Sequence, residues 1–360
     1  MASLRVLLDP TKLGREAETL GDKLKRSIVG QEEAIQQIVD RYQMFIAGMS
    51  NPGRPVANFL FLGPTGSGKT RTVEALAEAL VGDDRAVVKI DCAEFQQGHE
   101  IAKLIGSPPG YLGHRETHPL LSQEMLNQHQ TDSCKLSFVL FDEIEKASDA
   151  LWNLLLGILD RATLTLGDNR RVDFSQAMIF MTSNLGASDM EDMLRPRLGF
   201  AAAAACPDEK LVEKLGRAGV EAARRRFTPE FMNRIDKVVV FHPLGDAELR
   251  RILNLELGYV QDRLRRATGT KAVSFRLDSA ARALLLKEGT DARYGARHLK
   301  RAIERFLVQP MANLVATGQV MEGDQVFVHA DGRTGRLVFL KDYRGVVPEI
   351  AVEQGNTAAA

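Results

Sequence analysis

Short apolar runs of strand character alternate with longer segments of helical periodicity over residues 1–245 of the chain. Apolar runs of this length, bounded by polar or turn-forming residues, are typical of buried β-strands. Connections of helix length between such strands favour a mostly parallel sheet that is covered on both faces. The pattern therefore predicts an α/β fold with five strands, NFLFL (58–62), AVVKID (86–91), SFVLF (137–141), AMIFMTSN (177–184) and KVVVF (237–241).

The pattern changes after FHPLG at 241–245, where the strand-like runs stop and helical periodicity continues from residue 246 to about 317. Two late apolar segments, DQVFVHAD and TGRLVFLKD, flank the turn GRTG and predict a terminal β-hairpin. We therefore expect a large α/β domain over residues 1–245, with 1–23 as a lead-in, and a smaller, mainly helical domain over 246–341. Residues 342–360 are expected to form a tail.

Composition removes several classes of function. Lys plus Arg (47) equals Asp plus Glu (47), so the overall charge gives no reason to expect a nucleic-acid or lipid-surface partner. The three cysteines are far apart and form no C-x-x-C pair, which favours thiols in a reducing compartment. No apolar stretch is long enough to span a bilayer. We expect a cytoplasmic protein without a membrane partner.

The first candidate chemistry follows the predicted strand at 58–62. An octet there fits G-x-x-x-x-G-K-[ST], a loop whose backbone N–H groups turn onto phosphate oxygens at a helix N-terminus. The alternative is an ordinary glycine-rich turn, but the strand and helix on either side favour a phosphate-binding loop. Lys69 would pair with the β and γ phosphates of ATP, and Thr70 would bind Mg²⁺. The octet consists of Gly63, Pro64, Thr65, Gly66, Ser67, Gly68, Lys69 and Thr70.

A second candidate lies at the end of the predicted strand at 137–141, where Asp142 and Glu143 follow one another. Carboxylates at a strand tip of an α/β sheet face the ligand crevice. Asp142 would help to hold the metal, mostly through water, and Glu143 would orient and deprotonate the attacking water. A solvated acidic strand end is the alternative. Together with the phosphate loop, the pair predicts an ATP hydrolase.

Five segments in a fixed order resemble the Clp family of AAA+ unfoldases, most closely the second ATPase module of ClpA, ClpB and ClpC. The resemblance covers roughly residues 24–339, and it implies a P-loop sheet domain of five parallel strands with a small helical lid domain. It also implies ATP hydrolysis coupled to protein unfolding in a ring, usually a hexamer. The segments are FLFLGPTGSGKT, VLFDEIEKA, VDF…MTSNLGA, RFTPEFMNRIDKVVVFHPL and YGARHLKRAI.

The resemblance assigns roles to single residues, each with an alternative. Asn184 matches sensor 1, which helps to place the hydrolytic water, although a turn or helix-capping Asn is an alternative. Arg234 matches the arginine finger that reaches the γ-phosphate held by the neighbouring subunit. A surface Arg paired with Asp236 is the competing interpretation.

Three further residues are assigned in the same way. Arg297 matches sensor 2, which couples bound nucleotide to the lid domain, whereas the alternative is one more basic residue on a helix. Ile28 and Val29 match the apolar wall that covers the adenine, and the alternative is core packing at a helix entry.

A loop with two prolines and three glycines, LIGSPPGYLGHRE, surrounds Tyr111 and Leu112 and is incompatible with helix or central strand. The resemblance implies a pore loop, in which Tyr111 grips extended polypeptide in the axial channel. A Tyr packed under its own loop is the alternative. The chain departs from the family pattern at residues 114–119, HRETHP, where the family usually has acidic residues and a Gly pair.

The segment between the sensor 1 strand and RRRFTPEF contains Leu198, Gly199 and Phe200. These residues fit the aliphatic-Gly-[Phe/Leu] tripeptide with which protease-coupled relatives dock onto a ClpP-like peptidase. The alternative is that Phe200 folds back as a local anchor, and the alanines at 201–205 count against docking.

We therefore expect an ATP-dependent protein unfoldase or remodelling chaperone that acts on unfolded or misfolded proteins as a homo-oligomeric ring. One alternative is a nucleotide-switched AAA+ assembly or DNA-loading factor that does not thread protein. Salt-dependent DNA binding would favour that alternative. Another is a regulatory ring subunit that depends on a second chain for its substrates.

Overall fold

The computed structural model of the protein describes residues 8–107, 119–194, 209–268, 273–290, 295–332 and 334–341. These residues form two compact units. The first contains the described residues up to Arg251 together with 295–298, and the second contains residues 252–290 together with the described residues from Leu299 onward. None of the helices in these ranges has the length and apolar character that crossing a bilayer requires.

The first unit is built on a five-stranded parallel sheet, as the sequence predicted. Its strand order, which the sequence did not predict, is β2-β3-β6-β1-β7. A separate antiparallel pair, β4 and β5, lies outside this sheet. The strands are β1 (Ala57–Leu62), β2 (Val88–Asp91), β3 (Ser137–Asp142), β4 (Thr163–Thr165), β5 (Arg171–Asp173), β6 (Ala177–Ser183) and β7 (Lys237–Val240).

The two faces of the sheet are buried in two separate hydrophobic clusters. Along β1, Leu60 and Leu62 belong to one cluster, whereas Phe59 and Phe61 belong to the other. This follows from the two-residue period of a strand, and it explains why β1 is apolar without interruption from Phe59 to Leu62. Phe59 also stacks on Phe180 of the neighbouring strand β6, with ring centroids 5.2 Å apart.

Helices cover both faces of this sheet. We call the cluster that contains Phe59 and Phe61 the Phe59 cluster, and the one that contains Leu60 and Leu62 the Leu60 cluster. Buried residues of α1, α2 and α3 contribute to the Phe59 cluster, and those of α6 and α8 contribute to the Leu60 cluster. The helices of the first unit are α1 (Arg15–Ser27), α2 (Glu32–Ile46), α3 (Lys69–Val81), α4 (Ala102–Ile105), α5 (Gln123–Asn127), α6 (Asp149–Arg161), α7 (Ala187–Leu194), α8 (Glu209–Arg226) and α9 (Pro229–Met232).

The second unit combines helices with a three-stranded sheet of order β10-β9-β8. Strands β9 and β10 pair antiparallel, and β8 pairs parallel with β9. A π-helical segment at Glu304–Val308 joins α12 to α13. The elements are α10 (Asp246–Thr268) and α12 (Ala296–Ile303), which both begin in the first unit, and β8 (Ser274–Leu277), α11 (Ser279–Gly289), α13 (Gln309–Ala316), β9 (Gln325–Asp331) and β10 (Arg336–Lys341).

Three strands depart from the sequence-based expectation. The β4 and β5 strands have three residues each, with one buried residue at the centre, Leu164 and Val172. One buried position is too few to reveal the two-residue period of a strand. Strand β8 lies within a stretch for which helices were expected. Its four residues, SFRL, acquire their strand conformation by pairing with the distant β9, which is a contact that local sequence does not specify.

Candidate active site

The octet of the phosphate-binding loop lies between the end of β1 and the start of α3, in the expected strand-to-helix context. Gly63, Gly66 and Gly68 have φ angles of 138°, 79° and 104°, in the region that favours glycine. At Gly63 a Cβ atom would stand 2.3 Å from the carbonyl oxygen of Phe241, so any side chain there would displace the end of β7. The loop is closed by a hydrogen bond from Ser67 Oγ to Pro64 O.

Lys69 opens α3, and its side chain folds back into the loop. Its Nζ donates to Gly63 O at 2.6 Å, to Pro64 O at 2.9 Å and to Asn184 Oδ1 at 3.0 Å. Burial lowers the pKa of Lys69 to about 8, although the nearby carboxylates of Asp142 and Glu145 act in the opposite direction. The buried ammonium therefore sits where an anionic phosphate would stabilise it. Thr70, next on α3, is half-buried.

Asp142 ends β3, and Glu143 follows it in a left-handed conformation with φ of 57°. Thr182 of β6 links the two residues, because its Oγ1 donates to Asp142 Oδ1 and accepts from the Glu143 backbone N–H at 3.1 Å. Thr182 is buried, and the sequence analysis did not identify it. Since β3 and β6 are neighbours in the sheet, this hydroxyl fixes the direction in which the acidic pair leaves the strand.

Asn184 follows β6 and lies between the phosphate loop and the acidic pair. Its Oδ1 accepts from Lys69 and, at 3.4 Å, from Thr65 Oγ1, while its Nδ2 donates to Glu143 Oε1 at 3.3 Å. The Asn184 backbone N–H donates to Glu145 Oε1 at 3.1 Å. The side-chain amide is thus engaged with site residues.

Glu145 is a second residue that the sequence analysis missed. Its Oε1 receives the Asn184 backbone N–H, and its Oε2 is buried without a hydrogen-bond partner among the described residues. Residues 142–145 have the sequence DEIE, so Asp142, Glu143 and Glu145 all lie at one strand end. All three carboxylates are close enough to raise the pKa of Lys69 against the effect of burial. The site is therefore strongly acidic around one buried cation.

Ile28 and Val29, the expected adenine-covering residues, follow α1 and are 5% and 6% exposed. Ile28 packs in the Phe59 cluster, which agrees with the core-packing alternative for that residue. Gln31, two residues after Val29, connects this segment to the phosphate loop. Its Nε2 donates to Ser67 O at 3.1 Å and to His242 O at 3.0 Å, and its Oε1 accepts from the His242 N–H. The sequence analysis did not single out Gln31.

Arg297 lies in the first turn of α12, which begins against the phosphate loop. The Ala296 N–H donates to Gly66 O at 3.2 Å, and a Cβ atom at Gly295 would stand 3.0 Å from the same oxygen. The positive charge of Arg297 contributes to the lowered pKa of Lys69. The structure therefore brings this exposed arginine to the same site.

Arg234 lies at the opposite end of β1. The Arg234 carbonyl oxygen accepts from Asn58 Nδ2 at 3.2 Å, and Asn58 is the second residue of that strand. At about 3.3 Å per residue, the strand separates Asn58 from Gly63 by roughly 16 Å. Within its own chain, Arg234 is thus held away from the phosphate loop.

The contacts of Arg234 differ from the pairing with Asp236 that the competing interpretation proposed. Its guanidinium lies 3.6 Å from Asp160 and 3.3 Å from Glu230, and its Nε is buried without a partner among the described residues. Asp236 instead contacts Arg41 and accepts from the Asn58 N–H.

Two sets of predicted site residues lie outside the described residues. One is the expected pore loop with Tyr111 and Leu112. The other is the expected docking tripeptide of Leu198, Gly199 and Phe200.

The residues present fit an adenine nucleotide with Mg²⁺. The loop has no room for a Cβ at Gly63, and a buried ammonium lies within it. Thr70 and Asp142 have side-chain oxygens, which is the ligand type that Mg²⁺ prefers. Chemically, the arrangement joins a phosphate cradle to a carboxylate and an amide that are suited to activating water.

Two family models match the chain. Residues 54–238 match the AAA domain (Cdc48 subfamily), and residues 244–328 match the C-terminal, D2-small domain of ClpB protein. Among solved structures, the chain is similar to the closed-state cryo-EM reconstruction of Hsp104 with ATPγS and FITC casein. The TM-score is 0.73 at 27% sequence identity, over 91% of this chain and 52% of that one.

Curated relatives include chaperone protein ClpB of Bdellovibrio bacteriovorus, which is 40% identical over 87% of this chain and 34% of the relative. They also include the ATP-dependent Clp protease ATP-binding subunit ClpC of Staphylococcus saprophyticus, which is 35% identical over 87% of this chain and 36% of the relative. The chain spans about a third of the length of these curated relatives.

Proposed function

The chain belongs to the AAA domain family (Cdc48 subfamily), as a module of the Clp type, and on this premise we propose that it couples ATP hydrolysis to the unfolding or remodelling of proteins. The single observation that carries the proposal is the position of Asn184, which contacts Lys69 on one side and Glu143 on the other. A phosphate-binding lysine and a water-activating carboxylate are thereby held in one network.

The loop residues 63–70 would bind the phosphates of ATP. The ammonium of Lys69 would exchange its contacts with Gly63 O and Pro64 O for phosphate oxygens, which gain more from a positive charge than a carbonyl does. Thr70 and Asp142 would hold Mg²⁺, which neutralises phosphate charge when it is bound. Ile28 and Val29 would cover the adenine, and Arg297 would report bound nucleotide to the second unit.

Glu143 would act as the general base. Its carboxylate would accept a proton from the attacking water as that water adds to the γ-phosphorus, and the bond to ADP would break in line. Asn184 would hold the carboxylate in position by donating from Nδ2 to Oε1. An amide suits this role because it donates without competing for the proton.

Arg234 would serve the nucleotide of a neighbouring subunit. Its place at the far end of β1 supports this proposal, because it lies roughly 16 Å along the strand from its own phosphate loop. A finger supplied in trans requires an assembly, and we propose a homo-oligomeric ring, a hexamer by resemblance to the Clp family. To reach that nucleotide, the guanidinium would have to exchange its ion pairs with Asp160 and Glu230 for the phosphate.

Protein substrates and a peptidase are the proposed partners. The solved structure of Hsp104 contains casein, and the two kinds of curated relative are named as a chaperone and as a protease ATP-binding subunit. Tyr111 and Leu112 would grip the substrate chain. Leu198, Gly199 and Phe200 would dock onto a ClpP-like peptidase. A cytoplasmic location belongs to the same proposal.

The test is the rate of ATP hydrolysis with and without unfolded casein, measured beside the mass of the ATP-bound assembly. We expect stimulation by casein and the mass of a ring, with Glu143→Gln inactive in hydrolysis but able to bind ATP. No stimulation by casein, together with stimulation by DNA that falls steeply with salt, would favour the DNA-loading alternative.

A further inference from the structure

The turn after Glu143 is held by two side chains to which the mechanism above gives no role. This turn is a short 3₁₀ helix at Ile144–Lys146. Trp152 of α6 donates from Nε1 to Ile144 O at 3.1 Å. Arg226, the last residue of α8, donates to Glu145 O at 2.9 Å. Two successive carbonyls of the turn are therefore tied to two different helices.

The two side chains also contact each other. The guanidinium carbon of Arg226 lies 4.4 Å from the centre of the Trp152 ring, at the distance of a cation–π contact. Phe227, which is buried, meets the same ring edge-on at 5.7 Å. Arg226 can stack and donate at once because its guanidinium is planar with several N–H groups, whereas a lysine ammonium has no planar face to stack on the ring.

The turn that these contacts hold is the one that carries the proposed general base. Glu143 has a left-handed φ of 57°, which costs free energy in a non-glycine residue and persists only when its surroundings hold it. Thr182 restrains Glu143 on the sheet side, through its backbone N–H. Trp152 and Arg226 restrain the next two residues on the helix side, so the conformation is held from both directions.

The same turn places the other hydrolytic residue. Glu145 Oε1 accepts the backbone N–H of Asn184, and the Asn184 amide contacts Glu143. A shift of the turn would therefore move the base and the amide that orients it together. Lys69 also donates to Gly63 O and Pro64 O, which belong to the phosphate loop and not to this turn, so these two contacts would survive a shift of the turn.

We propose that Arg226 is a positioning residue for ATP hydrolysis, which with Trp152 holds the turn after β3 so that Glu143 and Asn184 face the attacking water. This inference rests on the proposed role of Glu143. It predicts an effect on the rate of the chemical step with little effect on nucleotide affinity, since Arg226 contacts neither the phosphate loop nor the adenine segment through the bonds described.

The first experiment compares Arg226→Met with Arg225→Met in the full chain. Arg225 is a matched control because it is the preceding residue of α8 and its ion pair is with Glu221 on the same helix. We expect Arg226→Met to lower kcat roughly tenfold, which corresponds to about 1.4 kcal/mol, with KM for ATP unchanged within about twofold. Arg225→Met should change neither constant, and Arg226→Lys should recover only part of kcat.

A spectroscopic measurement accompanies the kinetics. Trp152 is the single tryptophan of the chain, so its emission reports the contact with Arg226 directly. Arg226→Met should shift this emission to longer wavelength, and Arg225→Met should not. Trp152→Phe, which keeps an apolar ring but removes the N–H bond to Ile144 O, should also lower kcat, and it tests the inference if Arg226→Met does not fold.

The outcomes separate the inference from the proposed function. Wild-type kcat in Arg226→Met, beside an inactive Glu143→Gln, would contradict the inference alone. If Arg226→Met lowered kcat, ATP affinity and thermal stability together, the inference would also be contradicted, because such a result indicates a structural role only. No hydrolysis by the wild type, or hydrolysis that survives Glu143→Gln, would contradict the proposed function and this inference with it.

Discussion

The side-chain amide of Asn184 donates to Glu143 Oε1 at 3.3 Å. Asn184 follows β6 and Glu143 follows β3, and these strands are neighbours, so the sheet itself sets the distance between the two side chains. The oxygen of the same amide, Asn184 Oδ1, accepts a hydrogen bond from Lys69 Nζ. The orientation of the proposed general base is therefore linked to the occupation of the phosphate loop through one side chain.

Replacing Asn184 tests this link. Asn184→Ala removes the donor to Glu143 and one acceptor of Lys69, so we expect kcat for ATP hydrolysis to fall by about 10² with a smaller change in ATP affinity. Asn184→Asp should be at least as inactive, because a second carboxylate would repel Glu143. Steady-state kinetics and equilibrium binding of a fluorescent nucleotide measure both quantities. Full activity in Asn184→Ala would contradict the proposal that Asn184 orients Glu143.

Replacing Arg234 tests whether the active site is shared between neighbouring subunits. Arg234→Ala should bind nucleotide almost normally and lose about 10³ or more in turnover. Mixing it with Glu143→Gln should restore part of the activity, because an intact Glu143 of one subunit then meets an intact Arg234 of its neighbour. Each variant alone, treated in the same way, is the control. No recovery on mixing, or normal turnover in Arg234→Ala, would argue against a finger in trans.

The lowered pKa of Lys69 predicts a pH dependence of ATP binding. Burial lowers this pKa to about 8 in the free protein, and bound phosphates stabilise the charged form, so the pKa of the complex lies higher. Below pH 8 the affinity should therefore be independent of this group. Above pH 8 binding takes up a proton, and affinity should fall by up to about tenfold per pH unit until the pKa of the complex is reached.

Calorimetry in two buffers with different ionisation enthalpies measures this proton uptake. At pH 8.5 the wild type should take up a fraction of a proton when ATP binds. Lys69→Arg, which stays charged, should take up less. Identical uptake in the two proteins would show that another group titrates.

Phe200 tests the proposed contact with a peptidase. If the Leu198, Gly199 and Phe200 tripeptide inserts into a hydrophobic cleft, the ATP-bound wild type should co-sediment with the cognate ClpP-like peptidase and Phe200→Ala should not. Leu194→Ala offers a control substitution of an apolar residue six positions earlier in the chain. Equal association of wild type and Phe200→Ala, or none in either, would indicate a stand-alone remodeller.

The sequence predicted the parts of the fold and site that depend on local pattern. The continuous apolar runs around Phe59 and Phe180 identified central strands, because strands buried on both faces contain few polar residues. The phosphate-loop motif indicated Gly63, and the position of Asp142 at a strand tip indicated its place at the ligand edge of the sheet. Asn184 was assigned only by the resemblance to the Clp family. The contact between Asn184 and Glu143 depends on the pairing of β6 with β3.

What the sequence did not predict depends on contacts between distant segments. Thr182 is an ordinary β-branched strand residue until β3 lies beside it, and Gln31 acquires its role only when His242 and Ser67 come within reach. Arg234 pairs with Glu230 four residues earlier, but its second partner, Asp160 of α6, is distant in sequence and comes within reach only in the fold. Such choices of partner are decided by tertiary packing, which a single sequence does not specify.

The central claim is that ATP hydrolysis drives the threading of protein substrates, and it is tested most directly by unfolding of a tagged, stably folded fluorescent protein. Wild-type protein with ATP should abolish the fluorescence, whereas Tyr111→Ala should hydrolyse ATP at the basal rate and leave the substrate folded. Glu143→Gln should neither hydrolyse ATP nor unfold the substrate. Unfolding by Tyr111→Ala at the wild-type rate, or wild-type hydrolysis without any unfolding, would contradict the account.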